Sequence, residues 1–186
     1  MMQNIKNHMK IIGTNGVEPR QRDNFYATPS EATEALLSVE TFKGNIFEPC
    51  CGQGHISKLL MSKGYKVESS DLVDRGFGVP KRDFLFEFDK RDNVITNPPY
   101  GKMALRIAEH AQYIAKFKTA LLLKLTFLES KQRKSFFSKY PPVRIWVFSE
   151  RLSLLKDGKK YNGGMMCYAW FVWETGSNNP PQIGWI

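Results

Sequence analysis

The chain has 186 residues, of which 42% are hydrophobic, and this length suits a single α/β domain. Its 27 Lys and Arg residues against 18 Asp and Glu residues leave a formal net charge of +9, and the high hydrophobic content excludes a disordered polycation. No stretch approaches the roughly 20 apolar residues of a membrane span, and the polar N-terminus lacks the apolar core of a signal peptide, so we expect a cytoplasmic protein that binds no membrane.

Short apolar runs alternate with helical patterns along the chain, which is typical of βα units and a mostly parallel sheet. The predicted elements, in chain order, are a helix at 30–39, a strand at 45–48, a helix at 56–62, a strand at 66–71, a weak strand at 82–85, a strand at 93–96, a helix at 103–115, a strand at 119–125, a helix at 129–139, and strands at 144–148 and 165–173. Only a polar, glycine-rich loop joins the last two strands, so we expect them to form an antiparallel hairpin. Residues 1–23 and 176–186 are expected to be loosely ordered ends, with docking of Trp185 and Ile186 on the core as an alternative for the last two residues.

The start of the first predicted helix carries a capping signature. Thr28, Pro29 and Glu31 fit an N-cap, a proline at the first helical position and an acid three residues after the cap. We therefore predict that the Thr28 side chain caps this helix.

A glycine loop joins the first strand to the second helix, where residues 46–55 read Ile-Phe-Glu-Pro-Cys-Cys-Gly-Gln-Gly-His. Gly52 and Gly54 let the backbone approach a ligand closely beside the free N–H groups of a helix start, although many ordinary tight turns also need two glycines. Glu48 ends the strand before this loop, and Asp71 ends the next strand 23 residues later, close to the spacing of about 20 at which an acid binds ribose hydroxyls. The loop lacks the third glycine of a dinucleotide fingerprint, and Glu48 would repel a pyrophosphate. We therefore predict a cationic or zwitterionic, nucleotide-like ligand.

The second motif is Asn97-Pro98-Pro99-Tyr100, directly after a short apolar strand. Two prolines cannot continue a strand ladder or enter a helix interior, so the chain turns outward there. This turn exposes the Asn97 side-chain oxygen and the Pro98 carbonyl as adjacent acceptors beside the Tyr100 ring. Acceptors that bind the hydrogens of a conjugated amine favour its nucleophilic form, and an aromatic ring can hold a flat group. A Pro-Pro turn after a strand is also an ordinary way to leave a sheet.

The excess positive charge lies in the second half of the sequence. Residues 1–92 contain 13 basic and 13 acidic residues, whereas residues 93–186 contain 14 basic and 5 acidic residues. A basic half beside a neutral half is expected where one part holds a small ligand and the other faces phosphate, which favours a nucleic-acid partner. A generally basic, soluble surface would explain the same charge.

Taken together, these motifs resemble those of class I S-adenosylmethionine-dependent methyltransferases. The segment E-P-x-x-G-x-G is similar to their cofactor loop, and N-P-P-Y matches the motif of amino-methyltransferases. Upstream, residues 25–29 (Phe-Tyr-Ala-Thr-Pro) resemble the segment that closes over the methionine end of the cofactor in amino-methyltransferases of DNA. The order of the motifs is similar to that in small bacterial and phage adenine-N6 DNA methyltransferases, and the resemblance covers roughly residues 24–174.

The resemblance implies a Rossmann-like class I methyltransferase fold in one domain over residues 24–175, with a mostly parallel seven-stranded sheet, a C-terminal antiparallel hairpin and helices on both faces. It implies S-adenosylmethionine as the cofactor, with Asp71 on the ribose and Asp83 and Phe84 at the adenine ring. The implied cofactor-binding residues are Tyr26, Thr28, Pro29, Glu48, Gly52, Gly54, Asp71, Asp83 and Phe84. The implied catalytic residues are Asn97, Pro98, Pro99 and Tyr100. The three cysteines fit neither a disulfide framework nor a zinc spacing, so no metal is expected.

The contacts with the target are predicted from the basic half. Lys159, Lys160 and Tyr161 lie in the loop between the last two strands, where they are expected to hold phosphates and stack a base. Phe127 follows a buried strand at the same sheet edge and is expected either to line the pocket or to pack in the core. We expect no separate target-recognition domain of the kind that such enzymes usually carry. We expect specificity to be slight, to come from short loops, or to come from a protein partner or a homo-oligomer.

Three functions are consistent with these motifs. The leading one is adenine-N6 methylation, with DNA favoured over RNA as the nucleic acid. Asparagine heads the same motif in enzymes that methylate RNA bases or the side-chain amide of a protein glutamine, so the substrate stays open. The third is a catalytically silent subunit that binds cofactor and nucleic acid, against which the intact N-P-P-Y motif argues.

Overall fold

A seven-stranded sheet lies at the centre of the molecule. The computed structural model describes residues 26–156, 159–160, 166–177 and 179–186, and only the backbone at 155–156 and 159–160. The helices in these ranges are α1 (Ser30–Val39), α2 (His55–Ser62), α3 (Lys102–Ile114) and α4 (Lys131–Lys139). The strands are β1 (Ile46–Glu48), β2 (Val67–Ser69), β3 (Arg91–Thr96), β4 (Ala115–Lys124), β5 (Arg144–Val147), β6 (Leu155–Lys156), β7 (Lys159–Lys160), β8 (Tyr168–Glu174) and β9 (Gln182–Trp185).

The strand order of the sheet is β2-β1-β3-β4-β8-β5-β9. Strands β1 to β4 pair in parallel, and β9 pairs in parallel with β5. Only β8 runs in the opposite direction, antiparallel to both β4 and β5. A mostly parallel sheet with a C-terminal antiparallel pair was expected, and this expectation is confirmed. Strands β6 and β7 form a separate two-stranded hairpin.

Helices cover both faces of the sheet, because alternate side chains of its central strands point to opposite sides. On β4 and β8, one face presents Ala120, Leu122, Trp170 and Val172 to α1 and α2. The other face presents Leu121, Leu123, Phe171 and Trp173 to α3 and α4. Strands buried on both faces read as continuous apolar runs, which is why β4 and β8 were recognisable in the sequence. None of the helices in the described part of the chain has the length and apolar character that a membrane crossing requires.

The structure corrects two predictions about the strands. Residues 82–85 do not form a strand, because Asp83 accepts a hydrogen bond from the Leu85 amide and starts a 3-10 helix at Phe84–Phe86. The seventh strand is instead β9, which lies in the region expected to be a loose tail. The Trp146 ring packs so closely on Gly184 that a Cβ there would lie 2.2 Å from it. Residues 1–23, the other predicted loose end, lie outside the described range.

A buried ion-pair cluster ties the end of α1 to the sheet. Glu40 is only 4% exposed, and its carboxylate accepts hydrogen bonds from Lys118 at 2.8 Å, from the Trp146 indole at 2.9 Å and from both Arg144 Nε and Nη2. Glu174 pairs with the same two cations. Burial alone would raise the pKa of Glu40, but the hydrogen bonds from Arg144, Lys118 and Trp146 outweigh it and lower that pKa.

Replacing Glu40 with glutamine should destabilise the protein. Two cations would then share the single carboxylate of Glu174, and we expect a loss of about 2 kcal/mol in the free energy of unfolding at pH 7. Because the pKa of Glu40 is lowered on folding, its contribution is present at neutral pH and is lost on acidification, so the difference between wild type and variant should shrink as the pH falls. Urea unfolding at pH 7 and pH 3 measures both effects. Glu109→Gln, at an exposed helix position, is the control, and an equal loss there would contradict the prediction.

Candidate active site

A cavity of about 310 Å³ lies at the sheet edge where β1, β2 and β3 end. Parallel strands place their carboxyl ends at one edge, so segments far apart in the sequence meet there. The lining comes from residues 26–28 before α1, 48–51 after β1, 71–73 and 75 after β2, 82–85 around the 3-10 helix and 97–100 after β3, with His55, Ile56, Met103 and Ile107 between them.

The structure brings most of the predicted site residues together around this cavity. Those that line it are Tyr26, Thr28, Glu48, Asp71, Asp83, Phe84, Asn97, Pro98, Pro99 and Tyr100. Gly52 and Gly54 form the adjacent turn, and Pro29 is the buried N-cap of α1. The side chains of Lys159 and Lys160 and the whole of Tyr161 and Phe25 lie outside what the structure describes.

Phe127 does not line the cavity. It is 3% exposed and packs edge-on against Phe136, Phe137 and Phe171, with the Arg133 guanidinium over its ring. Of the two roles expected for it, the structure supports the core role, because the 3-10 helix at Leu125–Leu128 turns this side chain under α4.

Asp71 braces the glycine loop. Its Oδ2 accepts a hydrogen bond from the Gly52 amide at 2.8 Å, and its Oδ1 accepts one from the Val73 amide at 2.9 Å. Gly54 has φ +79°, and a Cβ on it would lie 2.4 Å from the Phe77 ring. The loop therefore needs glycine at position 54 for its backbone conformation and for space.

Glu48 is buried at the floor of the cavity, with 1% of its surface exposed. It accepts hydrogen bonds from the amide of Ser57 at 2.9 Å and from the hydroxyl of the same residue, and that hydroxyl lies 2.6 Å from the Ser69 hydroxyl. Burial raises the pKa of Glu48 to about 8, although the Ser57 hydrogen bonds oppose the rise, and the charge of Asp71 adds to it. A cationic group placed beside Glu48 would favour its ionised form.

The turn after β2 closes the cavity with an aromatic wall. Asp83 accepts a hydrogen bond from the Leu85 amide at 3.0 Å. Phe84 is buried between Phe47 and His110, at ring-centroid distances of 6.0 and 4.9 Å. The Nε2 of His110 lies 2.7 Å from the Glu87 carbonyl oxygen, and the residue is partly buried in this wall.

The Asn97 amide is held by the segment before α1. Its Nδ2 donates to the Tyr26 carbonyl oxygen at 3.2 Å and to Thr28 Oγ1 at 3.0 Å. Its Oδ1 is buried and has no hydrogen-bond partner among the described residues. Thr28 therefore does not cap the helix as predicted. The N-cap is Pro29, one residue later, and the Thr28 hydroxyl oxygen is used by a residue 69 positions away.

Tyr100 packs beside a second tyrosine that sequence reasoning missed. The ring centroids of Tyr100 and Tyr168 are 5.7 Å apart, and the Lys124 ammonium lies 5.0 Å from the Tyr100 centroid. Burial raises the pKa of Tyr100 well above its ordinary value and that of Tyr168 to about 12, so both phenols are neutral at physiological pH. The antiparallel register of β4 and β8 pairs Tyr168 with Lys124. The predicted strand at 165–173 and its antiparallel direction were the sequence features from which the position of Tyr168 could have been inferred. No sequence feature indicated that Ser57, on the first turn of α2, would contact the site.

Among the described residues, acids and arginines carry the charge of the cavity lining, and no cluster of metal ligands is present. The acids Glu48, Asp71 and Asp83 line the cavity together with the arginines Arg75 and Arg82. Arg82 is paired with Glu87 and Glu68. Within the described residues, no group of three or more His, Cys, Asp or Glu side chains is arranged to hold a metal ion.

Replacing Gly54 with alanine should disrupt the loop more than the same change at Gly64. Both glycines have a left-handed φ, but a Cβ on Gly64 meets nothing within 4 Å. Each substitution should cost about 1 kcal/mol in backbone strain, and Gly54→Ala should cost roughly 1–3 kcal/mol more because the Phe77 ring must move. Urea unfolding of the two variants measures the difference. Equal losses would show that Phe77 does not constrain the loop.

The raised pKa of Glu48 predicts a specific pH dependence of stability. Between about pH 4.5 and pH 8 the folded state keeps a proton that the unfolded chain releases, so this residue lowers the free energy of unfolding as the pH rises. We expect Glu48→Gln to remove that decline, so that the variant gains stability relative to wild type between pH 5 and pH 8. Urea unfolding at both pH values tests this, with the exposed Glu34→Gln as control. Parallel pH profiles of wild type and Glu48→Gln would contradict it.

The fold of the chain is shared with solved methyltransferase structures. A candidate RNA methyltransferase from Pyrococcus horikoshii matches with a TM-score of 0.62 at 15% sequence identity, over 94% of this chain and 99% of that chain. The modification subunit of a candidate type I restriction enzyme from Vibrio vulnificus YJ016 matches with a TM-score of 0.60 at 10% identity, over 100% of this chain and 50% of that chain. Magnesium protoporphyrin IX methyltransferase from Synechocystis PCC 6803, solved with bound SAM, matches with a TM-score of 0.57 at 13% identity, over 79% of each chain.

No family model and no curated protein matches the chain, so the likeness is one of fold. The expected Rossmann-like methyltransferase architecture is confirmed, with its mostly parallel sheet of seven strands and helices on both faces.

Proposed function

We propose that the protein transfers a methyl group from S-adenosylmethionine to an exocyclic amine, with adenine N6 in DNA as the target. The observation that carries this proposal is Asn97 Oδ1, a buried acceptor at the cavity without a hydrogen-bond partner among the described residues. An unpaired buried acceptor is energetically costly. A hydrogen of the target amine would satisfy it.

The acidic residues of the cavity suit S-adenosylmethionine better than a nucleotide that carries phosphate. Asp71 and Asp83 would repel a pyrophosphate but can accept hydrogen bonds from ribose hydroxyls. Glu48, whose raised pKa keeps it protonated at neutral pH, would ionise beside an ammonium group. Each oxygen of Asp71 already accepts a hydrogen bond from a backbone amide, and each keeps a second lone pair that can accept one from a hydroxyl. When bound, S-adenosylmethionine supplies an electrophilic methyl group on a sulfonium.

We assign the cofactor contacts along the cavity. Glu48 would lie at the methionine end, Asp71 at the ribose, and Asp83 and Phe84 at the adenine. Gly52 and Gly54 would bring the loop backbone close, while Tyr26, Thr28 and Pro29 would close the site. The support for this order is that the carboxylates follow β1 and β2 at one sheet edge.

The N-P-P-Y turn would prepare the target nitrogen for attack. The lone pair of an aromatic amine is delocalised, and two acceptors that bind its hydrogens favour the nucleophilic geometry. Asn97 Oδ1 and the Pro98 carbonyl would supply these acceptors, with Pro99 directing the turn. The Tyr100 ring would hold the flat base after it leaves its stack.

Three features support a nucleic-acid target. The net charge of +9 comes entirely from the half of the chain that contains Asn97. Lys131 and Lys134 are exposed on the first turns of α4, which follows the carboxyl end of β4. The stretch of sequence that contains Lys159, Lys160 and Tyr161 joins β5 to β8, whose ends are paired at the same edge of the sheet. Specificity would then come from such loops, from a protein partner or from a homo-oligomer.

Labelled S-adenosylmethionine incubated with the protein and with adenine-containing DNA, RNA or protein tests the proposal directly. After digestion to nucleosides and peptides, we expect the label in N6-methyl-deoxyadenosine. Label in an RNA nucleoside or a glutamine peptide would mean that RNA or protein, rather than DNA, is the substrate. If no substrate is labelled although the cofactor binds, the protein is instead a catalytically silent cofactor-binding subunit.

Asn97→Ala should abolish most of the turnover while cofactor binding persists. Loss of a preorganised hydrogen-bonding group at the reacting atom costs roughly 100-fold or more in rate, and we expect the dissociation constant for the cofactor to change less than about threefold. Single-turnover kinetics and isothermal titration calorimetry measure the two effects. Asn45→Ala, exposed at the opposite sheet edge, serves as the control. Full turnover in Asn97→Ala would contradict the assigned role.

A further inference from the structure

Both hydrogens of the Asn97 amide are taken up by one short segment before α1. One hydrogen goes to the backbone carbonyl of Tyr26 at 3.2 Å, and the other goes to Thr28 Oγ1 at 3.0 Å. A backbone carbonyl only accepts, so nitrogen rather than oxygen must face Tyr26. The orientation of the amide thus follows from the chemistry of its partners.

This orientation decides what the cavity can bind. With Nδ2 held by the segment, Oδ1 is the atom left over, and it is buried without a partner among the described residues. If the amide were reversed, its two N–H donors would face the target site, where the hydrogens of an amine would meet donors instead of an acceptor. A site with the reversed amide would not bind an amine.

Thr28 is free to make this contact because it does no capping. The helix N-cap is Pro29 and carries no side-chain hydrogen bond. Thr28 is 4% exposed, so water cannot readily replace its hydroxyl as the acceptor. The contact joins the segment expected to close over the cofactor with the N-P-P-Y turn, 69 positions later in the chain.

We infer that Thr28 is a positioning residue that fixes the Asn97 amide with its oxygen toward the target amine. The catalytic part of this inference rests on the proposed function, while the orientation itself does not. Tyr26 contributes through its backbone carbonyl, which no side-chain substitution removes. Thr28 is therefore the residue at which the orientation can be tested.

Kinetics of three variants test the consequence for turnover. Thr28→Val keeps the shape and removes the acceptor, and at saturating cofactor we expect kcat to fall about tenfold, as for the loss of one hydrogen bond, with KM for the nucleic acid within about threefold of wild type. Thr28→Ser keeps the hydroxyl and should restore kcat to within about threefold. Thr119→Val, a matched change at a buried threonine whose hydroxyl bonds the Ala111 carbonyl, should leave kcat unchanged. If Thr28→Val fails to fold, Thr28→Ala takes its place.

A second measurement does not depend on activity. In protein labelled with ¹⁵N-asparagine, the side-chain amide signal of Asn97 is the one missing from Asn97→Ala. We expect its hydrogen exchange with solvent to be slow in wild type and in Thr28→Ser, and at least tenfold faster in Thr28→Val. Unchanged exchange in Thr28→Val overturns the inference, as does faster exchange with unchanged kcat. Faster exchange in that variant, combined with no methylation of any amine by wild type, supports the orientation and overturns the proposed function alone.

Discussion

Glu48 joins β1, β2 and α2 through one buried carboxylate. It ends β1, accepts the amide and hydroxyl of Ser57 in α2, and reaches Ser69 at the end of β2 through that hydroxyl. Because both ends of the glycine loop are fixed in this way, the loop between them can be short, and Asp71 needs only one hydrogen bond to the Gly52 amide to hold it. The shape of the cavity depends on this anchor, since residues that follow β1 and β2 line it together with His55 and Ile56 of α2.

Two buried acids, Glu40 and Glu48, are close in sequence but lie at opposite ends of the strands. They differ in the groups that surround the carboxyl. Glu40 is surrounded by Lys118, Arg144 and Trp146, and its pKa is lowered. Glu48 has only hydroxyl and amide donors, and its pKa is raised. An acid that is compensated by cations stabilises the fold, whereas an uncompensated buried acid destabilises it once the pH is high enough to ionise it. The uncompensated acid of this pair is the one that lines the cavity.

Much of the fold was predictable, because the signals were local. The periodicity of residues 30–39 defined α1 at both ends, and the apolar runs marked β4 and β8. The meeting of Glu48, Asp71 and Asn97 at one cavity also followed, since parallel strands end at a common edge. Strand β9 was not predictable, because it depends on the Trp146 ring packing on Gly184, a contact that no local pattern encodes.

The same limit applies to the site. Thr28 has the residue type and spacing of a helix cap, and only the three-dimensional structure shows that its hydroxyl oxygen serves Asn97. Phe127 emerges from a strand that ends at the cavity edge, but its 3-10 helix turns it into an aromatic cluster. In both cases the residue type was recognised, and the partner was set by distant parts of the chain.

The reversed direction of β8 has a consequence for how such a protein could diversify. Because β8 runs against β5, the end of one strand and the start of the other are neighbours, with Val147 opposite Ala169. The chain between them leaves the sheet and returns to it at the same edge, beside the tyrosine that packs on Tyr100. A segment anchored at two adjacent points can be lengthened, shortened or exchanged without shifting any strand. This junction is thus a natural insertion point, where a new recognition element could be grafted next to the cavity while the scaffold beneath it stays unchanged.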